Sequence, residues 1–246
     1  MTSQSLQGKV AVVTGAAGKG MGRSIALTLS REGARVVLNH RTSDEVAGKI
    51  AEHIRSRGGE TVTVQADVFE EAGCRILYES SCQAFGRVDI CVIGPGSGWH
   101  PEPPERLNAQ GALSDIQQEL APIYHLLPLV LPGMYERGWG RIVAIGLEPT
   151  KSSPSYAYNV AKAAREQALL LAKGAAWQNN VTLNIVSPGP VGEIPSLDEA
   201  IALCDHGPAW ENRKDLTPQD VAEGVAFLCS EAGRFISGCM LPYLFH

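Results

Sequence analysis

The chain is notable first for what it lacks. No apolar run approaches the ~20 residues that span a bilayer, and the opening MTSQSLQGK has no hydrophobic stretch of the kind a secretory signal carries. Lys and Arg are scattered, and the net charge is −5, so the basic footprint expected of a nucleic-acid binder is missing. The six cysteines, Cys74, Cys82, Cys91, Cys204, Cys229 and Cys239, include no C-x-x-C pair and lie far apart. Reduced, mostly buried thiols are expected rather than disulfides or a metal site. His100, His125 and His206 have no i, i+4 partner, which argues against metal ligation. Internal repeats and low-complexity segments are also absent. These exclusions leave a cytoplasmic protein without nucleic-acid or membrane partners. At 246 residues it is long enough for one domain with a substantial core.

What is present is alternation. KVAVVTG (9–15) reads as a strand, Arg23–Ser30 as a helix and Ala34–Arg41 as a second strand. Helix Glu45–Arg57, strand Glu60–Asp67, helix Cys74–Phe85 and strand Val88–Gly94 follow. Then come helix Leu113–Met134, strand Arg141–Leu147, a helix carrying Tyr158, strand Val181–Gly189 and helix Pro218–Cys229. Such β-α-β order predicts an α/β fold: a Rossmann-type, doubly wound parallel sheet with helices on both faces, in a single domain spanning 1–246. Ligands are expected outside the carboxyl ends of its strands. Pro122 and Pro128 should interrupt and kink the Leu113–Met134 helix. The least regular stretches are 96–111 and 192–217.

Two constellations carry chemistry. Between the first strand and helix lies Gly15-Ala16-Ala17-Gly18-Lys19-Gly20-Met21-Gly22. In a strand–loop–helix context, such glycines let backbone approach a pyrophosphate at the positive end of a helix. Gly15 and Gly20 have four residues between them, and Gly18 gives the longer loop flexibility. Farther on, Tyr158 and Lys162 stand at i and i+4 on one helix face. A free phenol titrates near pH ~10, and a nearby cation would bring it toward the working range.

Together with Asp67-Val68 and Ser187-Pro188-Gly189-Pro190-Val191, these segments resemble the short-chain dehydrogenase/reductase family, nearest its β-ketoacyl-ACP reductase-like ketoreductases. The likeness runs in order from Gly8-Lys9-Val10 to Phe235-Ile236-Ser237-Gly238. It implies a nicotinamide dinucleotide at Gly15, Lys19, Gly20, Met21, Gly22, Arg41, Asp67, Val68, Gly94, Tyr158, Lys162, Pro188, Gly189 and Val191. Tyr158 and Lys162 would be the catalytic pair, acting on a small-molecule carbonyl or alcohol, with residues 192–217 as a substrate lid and a homo-oligomeric assembly, dimer or tetramer. In relatives the Leu113–Met134 helix and the Tyr158 helix form the subunit interface, and the apolar stretch Leu126–Leu131 suits one. The second strand ends Asn39-His40-Arg41 without the acid that would accept from a ribose 2′-hydroxyl. Arg41 and Lys19 suit a 2′-phosphate instead, so NADP(H) is the expected cofactor.

The chain also departs from the family. The strand end Ile145-Gly146-Leu147 puts Leu147 where a carbonyl-orienting Ser is usual, and Glu119 falls on the usual Asn. Asn-Ala-Gly becomes Gly94-Pro95-Gly96, and the C-terminus lacks Val-Asp-Gly-Gly. Ser152 or Ser153 would replace the lost hydroxyl, or Ser153-Pro154 would simply cap the Tyr158 helix. Glu119 would anchor a relay water, act as a new acid/base, or pair with a cation. Trp99, Trp210, His100 and His206 would line a substrate pocket, or the two Trp would anchor their loops. Two rival readings follow from the departures: a nucleotide-binding partner subunit or sensor with little catalysis, and non-redox lyase or dehalogenase chemistry on the same fold.

Overall fold

The computed structural model describes residues 4–99, 101–147, 155–207 and 216–243. Seven strands, β1 (Val10–Val13), β2 (Arg35–His40), β3 (Thr61–Gln65), β4 (Ile90–Ile93), β5 (Gly140–Ile145), β6 (Val181–Pro188) and β7 (Met240–Tyr243), form one sheet in the order β3-β2-β1-β4-β5-β6-β7. Every pairing is parallel. The central strands β1, β4, β5 and β6 are buried along their whole length, as a sheet covered on both faces requires.

Period-two alternation sends neighbouring residues to opposite layers. Ala11, Val13, Ile90 and Val92 pack with helices α1 (Met21–Arg31), α2 (Asp44–Ser56) and α8 (Pro218–Cys229). Val10, Val12, Cys91 and Ile93 pack on the other face with α3 (Glu71–Phe85), α4 (Ala109–Arg137) and α5 (Tyr156–Leu170). The predicted strands and helices stand within a few residues of their expected limits. The short helices α6 (Lys173–Gln178) and α7 (Leu197–His206), and β7, are additions.

Two expectations need correction. Pro122 and Pro128 do not interrupt α4, which also passes through Pro132. Each internal proline costs a helix about 3 kcal/mol. Here Ile123, Leu126, Val130 and Met134 on the same helix are buried against the sheet, which outweighs that cost, and Asn108 and Gly138 cap the two ends. The stretch 192–217 is not uniformly irregular either. Ser196 caps α7, whose Ala200 and Cys204 are buried in the core layer that α1 shares. Residues 208–215 of the proposed lid, Trp210 included, lie outside the described residues.

Candidate active site

β1 feeds into the glycine loop and then α1. Gly15 takes φ +65°, and a side chain there would meet Pro95 Cγ at 2.8 Å. A methyl at Gly22 would overlap the Gly15 carbonyl oxygen. The N-cap of α1 is Gly20, so no side chain fills the helix start. Its first N–H groups, at the positive end of the helix dipole, border a cleft of about 200 Å³ lined by Gly15, Gly20, Met21, Gly22, Gly94 and Pro95. Asn39, buried at the end of β2, braces this loop. Its Oδ1 accepts from Gly15 N–H at 3.2 Å, and its Nδ2 donates to the Ala66 carbonyl at 3.0 Å. The loop closes with Gly18 N–H donating to the Gly15 carbonyl at 3.4 Å, while the Lys19 carbonyl accepts from Ile194 N–H at 3.0 Å. The Lys19 side chain is exposed.

A second cleft, of about 310 Å³, opens at the ends of β2 and β3 between Gly18, Arg41, Asp67 and Phe69, with buried Val68 in its wall. Arg41 is 62 % exposed, and its Nη1 lies 3.7 Å from Asp67 Oδ2. Asp67 also accepts from Phe69 N–H at 3.0 Å. Gly15 and Pro95 border both clefts, which therefore lie side by side. Gly94 N–H donates to Thr14 Oγ1 at 2.9 Å, tying β4 to the end of β1. At the end of β6, Pro188 and Gly189 are buried, and Val191 is half-buried against the α1 layer.

Tyr158 and Lys162 stand one turn apart on α5, with Lys162 Nζ 5.4 Å from the Tyr158 ring centre. The ammonium turns toward Glu119 of α4, 2.9 Å away. The expected effect on the phenol is therefore reversed in this state. Burial, followed by the Glu119 charge, pushes Tyr158 up to about 12, with Arg165 opposing. Burial and Arg165 also draw the Lys162 ammonium below its ordinary value, against the pull of Glu119. Burial favours the neutral form of Glu119, but Lys162 and Arg165 outweigh it and hold the carboxyl below the usual range. Glu119 is thus cation-paired, with two partners.

Leu147 presents only backbone, its N–H donating to Glu166 Oε1 at 3.0 Å, and Ser187 Oγ lies 3.4 Å from the same oxygen. Burial drives the Glu166 carboxyl above its usual range despite those two donors. Ser152, Ser153 and His100 lie outside the described residues. Trp99 is mostly exposed, as is His206 at the end of α7. Arg165, fully buried and bonded to Glu119 at 3.1 Å, is the site residue that sequence reasoning missed. Its one signal was an acid at position 119 that needed a second cation.

A sequence-family model described as enoyl-(acyl carrier protein) reductase matches residues 15–243. A probable tetrahydroxynaphthalene reductase of Zymoseptoria tritici is 30 % identical over 260 residues, covering 95 % of this chain and 92 % of the relative. The 7alpha-hydroxysteroid dehydrogenase of Escherichia coli K12 is 29 % identical over 245 residues, covering 96 % and 92 %. A solved 7 alpha-hydroxysteroid dehydrogenase, complexed with NADH and 7-oxo glycochenodeoxycholic acid, superposes with a TM-score of 0.84 at 26 % identity, covering 98 % of this chain and 94 % of that one. By the extent of these matches, the chain belongs to the short-chain dehydrogenase/reductase family of oxidoreductases.

Proposed function

We propose that this protein is an NADPH-dependent reductase of small-molecule carbonyls, running also as an alcohol dehydrogenase, with Tyr158 and Lys162 as its catalytic pair. The observation that carries the reading is the uncapped start of α1 over a glycine-lined cleft, with Tyr158 and Lys162 together on α5, which packs on the opposite face of the sheet. The clefts fit a dinucleotide: a pyrophosphate suits the Gly20–Gly22 N–H groups, an adenosine the Asp67/Val68 wall, and a 2′-phosphate the exposed Arg41. When bound, the dinucleotide supplies or takes the hydride. Tyr158 O–H donates to the carbonyl oxygen, and Lys162 orients the ribose.

The absence of an acid at the end of β2 and the presence of Arg41 support NADPH. Asp67 beside Arg41 tempers that preference, because it already neutralises part of the guanidinium charge. Leu147 offers no side-chain donor to the carbonyl, a deficit worth roughly 10²–10³ in rate when such a donor is removed from a working site. Slow turnover is therefore expected, borne mainly by Tyr158.

The test is a fluorescence titration with NADPH and NADH, followed by a ketone and quinone screen. Tighter NADPH binding, lost roughly tenfold in Arg41→Ala with NADH unaffected, supports the reading. Failure to bind either nucleotide rejects it. Binding without turnover of any carbonyl would favour a silent partner subunit or sensor.

A further inference from the structure

Glu119 is fully buried, and its carboxylate is saturated. Oε1 accepts from Ser97 N–H at 2.8 Å, Ser97 Oγ at 2.9 Å and Lys162 Nζ at 2.9 Å, while Oε2 accepts from Arg165 Nη1 at 3.1 Å. Arg165, equally buried, is fixed by backbone as well. Its Nη1 donates to the Pro95 carbonyl at 2.6 Å, and its Nη2 to the Ile93 and Gly94 carbonyls at 2.6 and 3.3 Å. Gly96 lies against the carboxylate so closely that no Cβ fits. The segment Gly94–Ser97, whose Pro95 walls both clefts, is thus bonded from behind by one acid and one base.

Neither charge is tolerable here alone, because an unpaired buried ion is strongly disfavoured. Arg165 without Glu119 would face the Lys162 ammonium with Tyr158, Glu166 and three backbone carbonyls as its remaining favourable partners. Lys162 has three N–H donors, and Glu119 commits one of them inward, which leaves two for groups outside. The groups facing Lys162 are Glu119 from α4 and Tyr158, Arg165 and Glu166 from α5.

We infer that Glu119 and Arg165 are a single positioning unit: Glu119 holds the Lys162 ammonium in one direction, Arg165 anchors the Glu119 carboxylate, and together they set the height of the Gly94–Ser97 wall. This rests on the reading in which Lys162 engages a bound dinucleotide. Neither residue touches the ligand; both act through Lys162 and through the wall.

The experiment compares the full-length protein with Glu119→Gln, Arg165→Met and the double variant, measuring NADPH and NADH affinity from about pH 6 to pH 9 together with thermal melting. Gln keeps the shape and the Ser97 contacts but removes the charge. Lys162 then lies beside Arg165 without its counter-ion and loses its proton at lower pH. Glu119→Gln should bind within a few-fold of wild type at about pH 6 and about tenfold more weakly at about pH 9. Its melting temperature should fall by about 10 °C. Glu119→Gln/Arg165→Met removes both charges and should recover part of the affinity at high pH and part of the melting temperature, the remainder being lost with the Arg165 bonds to the Ile93, Gly94 and Pro95 carbonyls. A purely structural role would lower melting without moving the pH at which affinity is lost.

Superimposable affinity profiles for wild type and Glu119→Gln, or a double variant no better than the single, would overturn the inference. Should wild type bind neither nucleotide, the proposed function fails by itself. The pairing is then decided by melting alone: a double variant as unstable as Glu119→Gln refutes it.

Discussion

At the scale of the residue, the site is governed by where single protons sit. Tyr158 is half-buried, and its partial burial followed by the Glu119 charge pushes the phenol up to about 12 from the ordinary value near 10. Difference absorbance at the phenolate band between wild type and Tyr158→Phe should place this step near pH 12 in the nucleotide-free protein; a step below 10 would contradict the geometry. Tyr158→Phe should also abolish carbonyl turnover, by at least about 10²-fold, while leaving nucleotide affinity within a few-fold, because the glycine loop and Lys162 are untouched. Retained turnover would remove Tyr158 from the mechanism. The Tyr158/Lys162 pair was readable in the sequence because helical spacing alone puts the two side chains on one face. Arg165 was not: in YAYNVAKAAREQALL it looks like an ordinary polar residue of a surface turn. Its burial becomes visible only once α4 brings Glu119 across from it, a contact spanning 46 positions.

At the scale of the element, loops and strand ends place the chemistry. β1, the glycine loop and α1 were legible because β-branched residues, glycines and helical periodicity follow one another without interruption. β7 was not, since four residues with Pro242 among them carry too little pattern. It occurs at the sheet edge, where a missing N–H is tolerated. The reading of α4 erred in the opposite direction: prolines outrank periodicity locally, but its buried face decides. The packing of loop on helix start yields a sharp expectation. Gly22→Ala places a methyl against the Gly15 carbonyl oxygen, so the loop must shift away from α1. Nucleotide affinity should fall about tenfold or more in a titration, with far-UV circular dichroism unchanged. Affinity equal to wild type would mean that the Gly15–Gly22 contact does not shape the nucleotide cleft.

At the scale of the whole molecule, stability against pH sums groups of opposite sign. Glu119 and Glu223 are held below the ordinary carboxylate range. Burial opposes this in both; Lys162 and Arg165 override it for the first, and Arg31 with Gln219 for the second. Such depressed carboxyls stabilise the fold above their unfolded values, and that contribution is lost as acid titrates them in the folded state. Glu166 runs the other way: burial raises it, so the fold favours its neutral form and loses stability as pH rises through that raised value. Gln at position 166 keeps acceptors for Leu147 N–H and Ser187 while remaining neutral. Glu166→Gln should therefore raise the melting temperature at about pH 8 by more than at about pH 4; a uniform decrease at both would show that its charge is needed. Among the described residues no helix is long and apolar enough to cross a membrane.

The distribution of thiols has a consequence of its own. Cys74, Cys91, Cys204 and Cys229 are buried, while Cys82 and Cys239 are only half covered. Burial pushes Cys74, Cys91 and Cys229 up to about 12, far from the thiolate form that reacts with alkylating or oxidising agents. The folded chain thus presents two partly accessible sulfurs, on α3 and just before β7. A fluorophore and an acceptor coupled there would leave the interior unmodified. The remaining four would act as a clock, taking up label only as fast as the sheet opens.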